Sequence, residues 1–166
     1  MSIAIVYFSG SGATKKQAEA VLAGTGELGV LIEIDKDGNT PEDTLTTLDS
    51  AKAIIFGSST LMGTCSWQFK KFAETSSSRF MNQAWKDKYF AGFTNSGNIY
   101  GDKGVTVDYF FHLAMQLGGI WVGLGTLPNP SDRSNVNYIG SFAGIFVVLN
   151  FHIKLINKIL LYDFFK

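Results

Sequence analysis

Ile3-Ala4-Ile5-Val6-Tyr7 is an almost unbroken apolar run, followed by a Gly/Ser cluster and then by apolar residues at helical spacing. Such a run predicts a strand buried on both faces that feeds a helix. The helix is expected over 13–22, with Ala18, Val21 and Leu22 inward and Gly24 and Gly26 stopping it. Residues 29–34 read as a second strand, 35–40 as turn chemistry, and Pro41 as the first turn of a short helix over 42–48. A third apolar, β-branched strand is expected over 51–56, ahead of the small-polar cluster Gly57-Ser58-Ser59-Thr60 and a helix over 66–75. Residues 89–93 form the fourth expected strand, before the polar cluster Thr94-Asn95-Ser96-Gly97-Asn98. A helix over 105–117 follows, ended by Gly118-Gly119, and then a fifth strand over 120–124.

Strands that alternate with helices imply right-handed βαβ crossovers and a parallel sheet covered on both faces, an α/β fold. The loops after the first, third and fourth strands are the ones rich in Gly, Ser, Thr and Asn. In open parallel sheets the ligand lies outside the carboxyl ends of the strands, so these three loops converge on one edge.

Totals narrow the picture further. A chain of 166 residues, 46% hydrophobic and 17% charged, suits one domain with one sizeable core. Its formal net charge of zero offers no basic excess for phosphate neutralisation, which argues against nucleic acid as the main partner. The single cysteine, Cys65, allows no internal disulfide and suits a reducing, cytoplasmic setting. The first residues read as a strand that begins at once, without the basic start and apolar length of a signal peptide.

Ser9-Gly10-Ser11-Gly12-Ala13-Thr14 sits where the first strand turns into a helix. N–H groups at a helix start favour an anion, the glycines let it approach, and Ser9, Ser11 and Thr14 add hydroxyl donors. No Gly-Lys-Ser/Thr follows, so this is not a P-loop, and Lys15 stands where a third dinucleotide-loop glycine would be. A phosphate site and a plain N-capped turn both fit these residues. His112 lies on an apolar helix and His152 in the tail; neither has a metal partner at helical spacing, and both read as structural. Cys65, Trp67, Trp85 and Trp121 read as core, pocket or interface residues, with a reactive Cys65 thiol the alternative.

The first loop, with its pattern hydroxyl-x-Ser/Thr-Gly-x-Thr, resembles the FMN-phosphate loop of flavodoxins. FGSSTLMGTCSWQFKKF, FTNSGNIYGDKG and IWVGLG…LPNPSDRSNVNYIGSFAG resemble, in order, segments of WrbA-type NAD(P)H:quinone oxidoreductases and related flavodoxin-like reductases. The resemblance runs over residues 1–144 and implies a flavodoxin-like five-stranded parallel sheet of order 2-1-3-4-5, with helices on both faces. It implies that Ser9, Ser11, Gly12, Ala13 and Thr14 hold the FMN phosphate. Thr60, Leu61, Met62 and Gly63 would line the isoalloxazine, and Asn95, Ser96, Gly97, Asn98 and Tyr100 would close its other side. Phe80 falls near a position where the family has an aromatic residue facing the quinone.

The implied activity is transfer of electrons from NAD(P)H through FMN to a quinone or similar small molecule, in a protein that forms homo-oligomers. The alternatives are a flavodoxin-type electron carrier and a flavin-binding module without turnover. Zero net charge and the lack of a Trp/Tyr pair in the flavin loops argue against the carrier. The family's histidine at the end of the fourth helix is replaced in AMQLGG by Leu117, which cannot donate to a quinone oxygen; Gln116 is the nearest polar side chain. The domain is thus expected over 1–146. Residues 147–166 have none of the Ala, Glu or Arg of the family's last helix and read as an atypical apolar tail, translated from an intron or another frame. Its charged and amide residues interrupt it too often for a membrane span.

Overall fold

The computed structural model describes residues 2–132 and 135–148. Strand β1 (Ile3–Phe8) leads through a short loop to helix α1 (Ala13–Thr25), and β2 (Gly29–Ile34) and α2 (Thr44–Ser50) follow. Strand β3 (Ala53–Leu61) folds back on the short β4 (Thr64–Cys65), ahead of α3 (Trp67–Thr75) and α4 (Ser77–Met81). The remaining elements are β5 (Tyr89–Ser96), α5 (Lys103–Gln116), β6 (Ile120–Trp121) and β7 (Ile145–Val148).

The sheet runs β2-β1-β3-β5-β6, with β4 antiparallel to β3 and β7 parallel to β5. The expected five-strand order 2-1-3-4-5 therefore gives way to seven strands. Two physical causes account for the difference. The chain after β3 makes a hairpin, which adds β4. The expected fifth strand over 120–124 is divided: β6 pairs only with Tyr89 and Phe90, and β7 pairs with Phe93 to Ser96. Trp121 Nε1 donates to the Ala143 carbonyl at 2.9 Å, joining the point where the chain leaves the sheet to the point where it returns.

Strand ends also move. β3 runs through Gly57-Ser58-Ser59-Thr60 and β5 through Thr94-Asn95-Ser96, so two clusters expected as loops are paired sheet. Val147 and Val148 are buried in β7 and pair with Asn95 and Ser96, so the sheet continues past the boundary expected at residue 146. The rest of the tail, with His152, lies outside the described residues.

Alternation along β1 builds two cores, as an apolar strand buried on both faces must. Ala4, Val6 and Phe8 face α3 and α5, whose Phe69, Phe72 and Phe110 surround Phe56 and Phe90 of the sheet. The Phe56 ring lies 5.3–5.8 Å from those of Phe69, Phe90 and Phe110. Ile3, Ile5 and Tyr7 face Ala18 and Val21 of α1. Trp85 is fully buried in the first core, and Trp67 is exposed.

At the end of the sheet away from the loops, the Asp49 carboxylate gathers the connection that follows α4. It accepts from Arg79 Nε at 3.1 Å, Arg79 Nη2 at 2.8 Å and Trp85 Nε1 at 2.7 Å. The Arg79 hydrogen bond holds the Asp49 carboxyl below the usual carboxylate range. A lowered folded-state value contributes stability above the ordinary range and loses it as pH falls through the folded value. Asp49→Ala is expected to lower unfolding free energy by about 1–3 kcal/mol at neutral pH, from three lost charge-assisted bonds. Urea titrations of both proteins should show this gap narrow as the pH falls below the ordinary carboxylate range.

Candidate functional site

The loop after β1 wraps around its own serine. Ser9 Oγ accepts N–H bonds from Gly12 and Lys15, each at 3.1 Å. Gly12 opens α1 in the left-handed region at φ 87°, where a side chain would be strained. The capped-turn reading therefore applies to the Ser9 oxygen, while its hydroxyl hydrogen is left to donate. Ser11 is exposed on the same loop, Ala13 begins α1, and Thr14 is buried one residue further on.

The second loop is a two-residue hairpin. Thr60 and Leu61 pair with Cys65 and Thr64, leaving Met62 and Gly63 at the tip with φ of 49° and 92°. Two consecutive positive φ values mark the tight hairpin turns whose twist matches antiparallel strands. The turn displays Leu61 and Met62, which are 65% and 95% exposed. Cys65 is buried instead, and burial pushes its thiol above its ordinary value, so it is a core residue rather than an activated nucleophile.

Between these loops, the last residues of β5 are polar and buried, so each must find a partner. Thr94 Oγ1 lies 2.9 Å from Thr60 Oγ1, which lies 2.8 Å from Thr106 Oγ1 on α5. Asn95 Nδ2 donates to Thr14 Oγ1 at 2.9 Å and to Gln17 Oε1 at 3.1 Å, and Gln17 Nε2 donates to the Thr94 carbonyl. Thus Thr14, Thr60 and Asn95, three expected ligand-binding residues, spend side-chain groups on holding the loops together.

The third loop has an organiser that the sequence reading missed. Lys103 is 1% exposed, and its ammonium donates to Ser96 Oγ and to the carbonyls of Asn98, Ile99 and Tyr100 at 2.7–3.1 Å. Burial lowers its pKa. The available signal was a lysine in the first turn of a helix, where the helix dipole disfavours a cation. Such a lysine needs another reason to be there.

Phe80 and Leu117 are brought together, but elsewhere. Both line a groove of about 420 Å³ between α3, α4 and α5, with Tyr109, His112 and Gln116. The parallel pairing of Tyr89 with Ile120 puts the end of α5 near the starts of β5 and β6. Within one chain, Leu117 therefore lies at the opposite sheet edge from the three loops. His112 is exposed, with Nδ1 2.8 Å from the Asp108 carbonyl oxygen.

At the loop edge, a Cβ built on Gly12, Gly63 or Gly97 meets no atom within 4 Å. Gly12 and Gly63 are explained by their backbone, but Gly97 has neither a positive φ nor a crowded neighbour. Leu61, Met62, Ile99 and Tyr100 are exposed on the second and third of these loops, so the carboxyl edge presents apolar side chains next to uncrowded glycines. A family model described as a flavodoxin domain matches residues 4–115. The chain belongs to the flavodoxin family. It is 46% identical over 146 residues to flavodoxin FldP of Pseudomonas aeruginosa, covering 86% of this chain and 78% of that protein. An NAD(P)H dehydrogenase (quinone) of Methylocella silvestris is 27% identical, over 74% of this chain and 70% of its own length. A solved flavodoxin, WrbA-like protein from Agrobacterium tumefaciens superposes with a TM-score of 0.79 at 40% identity, over 97% of this chain and 91% of its own. Flavodoxin-family membership implies a flavin cofactor.

Asn95→Ala is expected to lower unfolding free energy by about 1–3 kcal/mol, because the buried Thr14 Oγ1 and Gln17 Oε1 lose the amide that donates to them. Denaturant unfolding of the flavin-free protein measures it.

Proposed function

We propose that the chain binds FMN across the three loops and works as an electron-transfer flavoprotein. The observation that carries this reading is the exposure of Leu61, Met62, Ile99 and Tyr100 on the same carboxyl-edge loops as the uncrowded glycines Gly63 and Gly97. Loop residues 10–14 at the start of α1 would hold the phosphate, with the backbone N–H groups that Ser9 does not take, the Ser11 hydroxyl and the helix dipole. Leu61, Met62 and Gly63 would face one side of the ring, and Asn95, Ser96, Gly97, Asn98 and Tyr100 would form the other wall. FMN, when bound, supplies the redox chemistry. The four exposed side chains, Leu61, Met62, Ile99 and Tyr100, would cover the ring and present an apolar surface to an incoming partner.

Carriage of electrons between other proteins is the first reading, and it agrees with the name of the 46% identical relative. The second is reduction of a quinone or similar small molecule by NAD(P)H, favoured by relatives of that named activity at 26–28% identity. It lacks, within one chain, the Phe80 and Leu117 contacts expected beside the flavin, because both side chains line the separate groove.

An FMN titration followed by absorbance and fluorescence, and then addition of NADPH or NADH with benzoquinone, separates these readings. The carrier reading expects FMN binding with negligible nicotinamide oxidation. Fast turnover transfers the assignment to the reductase, and failure to bind FMN overturns both. Gly97→Val adds a side chain into open space, so flavin-free stability should change by less than about 0.5 kcal/mol. The same substitution should weaken FMN binding roughly tenfold or more by overfilling the cradle.

A further inference from the structure

Lys103 is a charged side chain taken almost entirely out of water, an expensive placement unless the ammonium is fully engaged. Its three N–H groups meet four acceptors: Ser96 Oγ at 2.8 Å, Asn98 O at 3.0 Å, Ile99 O at 2.7 Å and Tyr100 O at 3.1 Å. Three successive carbonyls thus point at one nitrogen. The peptides are trans, and a trans peptide directs its N–H opposite to its C=O. The N–H groups of Ile99, Tyr100 and Gly101 are therefore turned away from Lys103. Among the described residues none of these three donates to a protein acceptor. Ile99 and Tyr100 are 73% and 86% exposed, so the loop keeps this shape without burying its own apolar groups.

We infer that Lys103 is the positioning residue of the flavin site: its buried ammonium fixes the shape of loop 97–101 before any ligand arrives and places a positive charge behind that wall. The inference rests on the flavoprotein reading for its effect on FMN, but not for its effect on the loop. A shaped loop loses less conformational freedom on binding. A fixed positive charge in a poorly solvated wall also favours the more electron-rich form of a bound redox group.

The test compares wild type, Lys103→Met and Lys103→Gln as full chains. In the flavin-free proteins, chymotrypsin cleavage after Tyr100, followed by mass spectrometry, should be roughly tenfold faster in Lys103→Met. Lys103→Gln keeps two N–H donors without the charge and should fall between the two. With FMN, the dissociation constant should rise roughly tenfold or more in Lys103→Met. The midpoint potential of the bound flavin should move negative in both variants, a shift that a merely structural filler would not produce. Equal Tyr100 cleavage in folded Lys103→Met and wild type, or an unmoved potential in Lys103→Gln, overturns the inference. If Lys103→Met does not fold, the two Lys103→Gln measurements decide. Wild type that binds no FMN defeats the flavoprotein reading, and the cleavage comparison then judges Lys103 alone.

Discussion

Polar side chains buried at the carboxyl end of β5 constrain everything around the candidate site. Thr94, Asn95 and Ser96 occupy the sheet interior, where an unpaired hydroxyl or amide costs about as much as a hydrogen bond is worth or more. Their partners come from every element that carries the site: Thr14 and Gln17 on α1, Thr60 on β3, and Lys103 on α5. Satisfying the strand therefore fixes the positions of all three loops relative to one another. The seam that holds this edge together is thus built from residues of the same loops that the proposed site uses.

That division of labour changes how the site residues are understood. Hydroxyl and amide groups of Thr14, Thr60 and Asn95 look like ligand contacts in the sequence, yet in the fold they bond to each other or to neighbouring elements. Left free for the proposed ligand are the backbone of the turns and the exposed apolar side chains of Leu61, Met62, Ile99 and Tyr100. A flat aromatic ligand with a phosphate end matches that division, with apolar walls for the ring and a helix start for the anion.

Much of this was legible in the chain. Apolar runs at 3–7 and 29–34 became strands because their hydrophobic content leaves no alternative to burial on at least one face. The three loops were found because Gly, Ser and Asn gather where strands end. The strand ends themselves were misread: Ser58, Thr94 and Ser96 look like loop residues, and only the Ser66, Thr60 and Lys103 partners across the fold make them acceptable inside a sheet. Lys103 was invisible for the same reason, because its four acceptors lie on the loop that it folds. Leu117 was placed by resemblance, whereas its distance from the loops follows from the direction in which α5 crosses the sheet.

One edge of the sheet, held by the end of β5, is thus the proposed flavin cradle. Amide chemical-shift mapping of the isotopically labelled protein during FMN titration tests it most directly. Saturable shifts confined to 9–14, 60–63 and 95–103 are expected, with the groove residues Phe80 and Leu117 unmoved. Shifts centred on that groove, or none at equimolar and higher FMN, would contradict it.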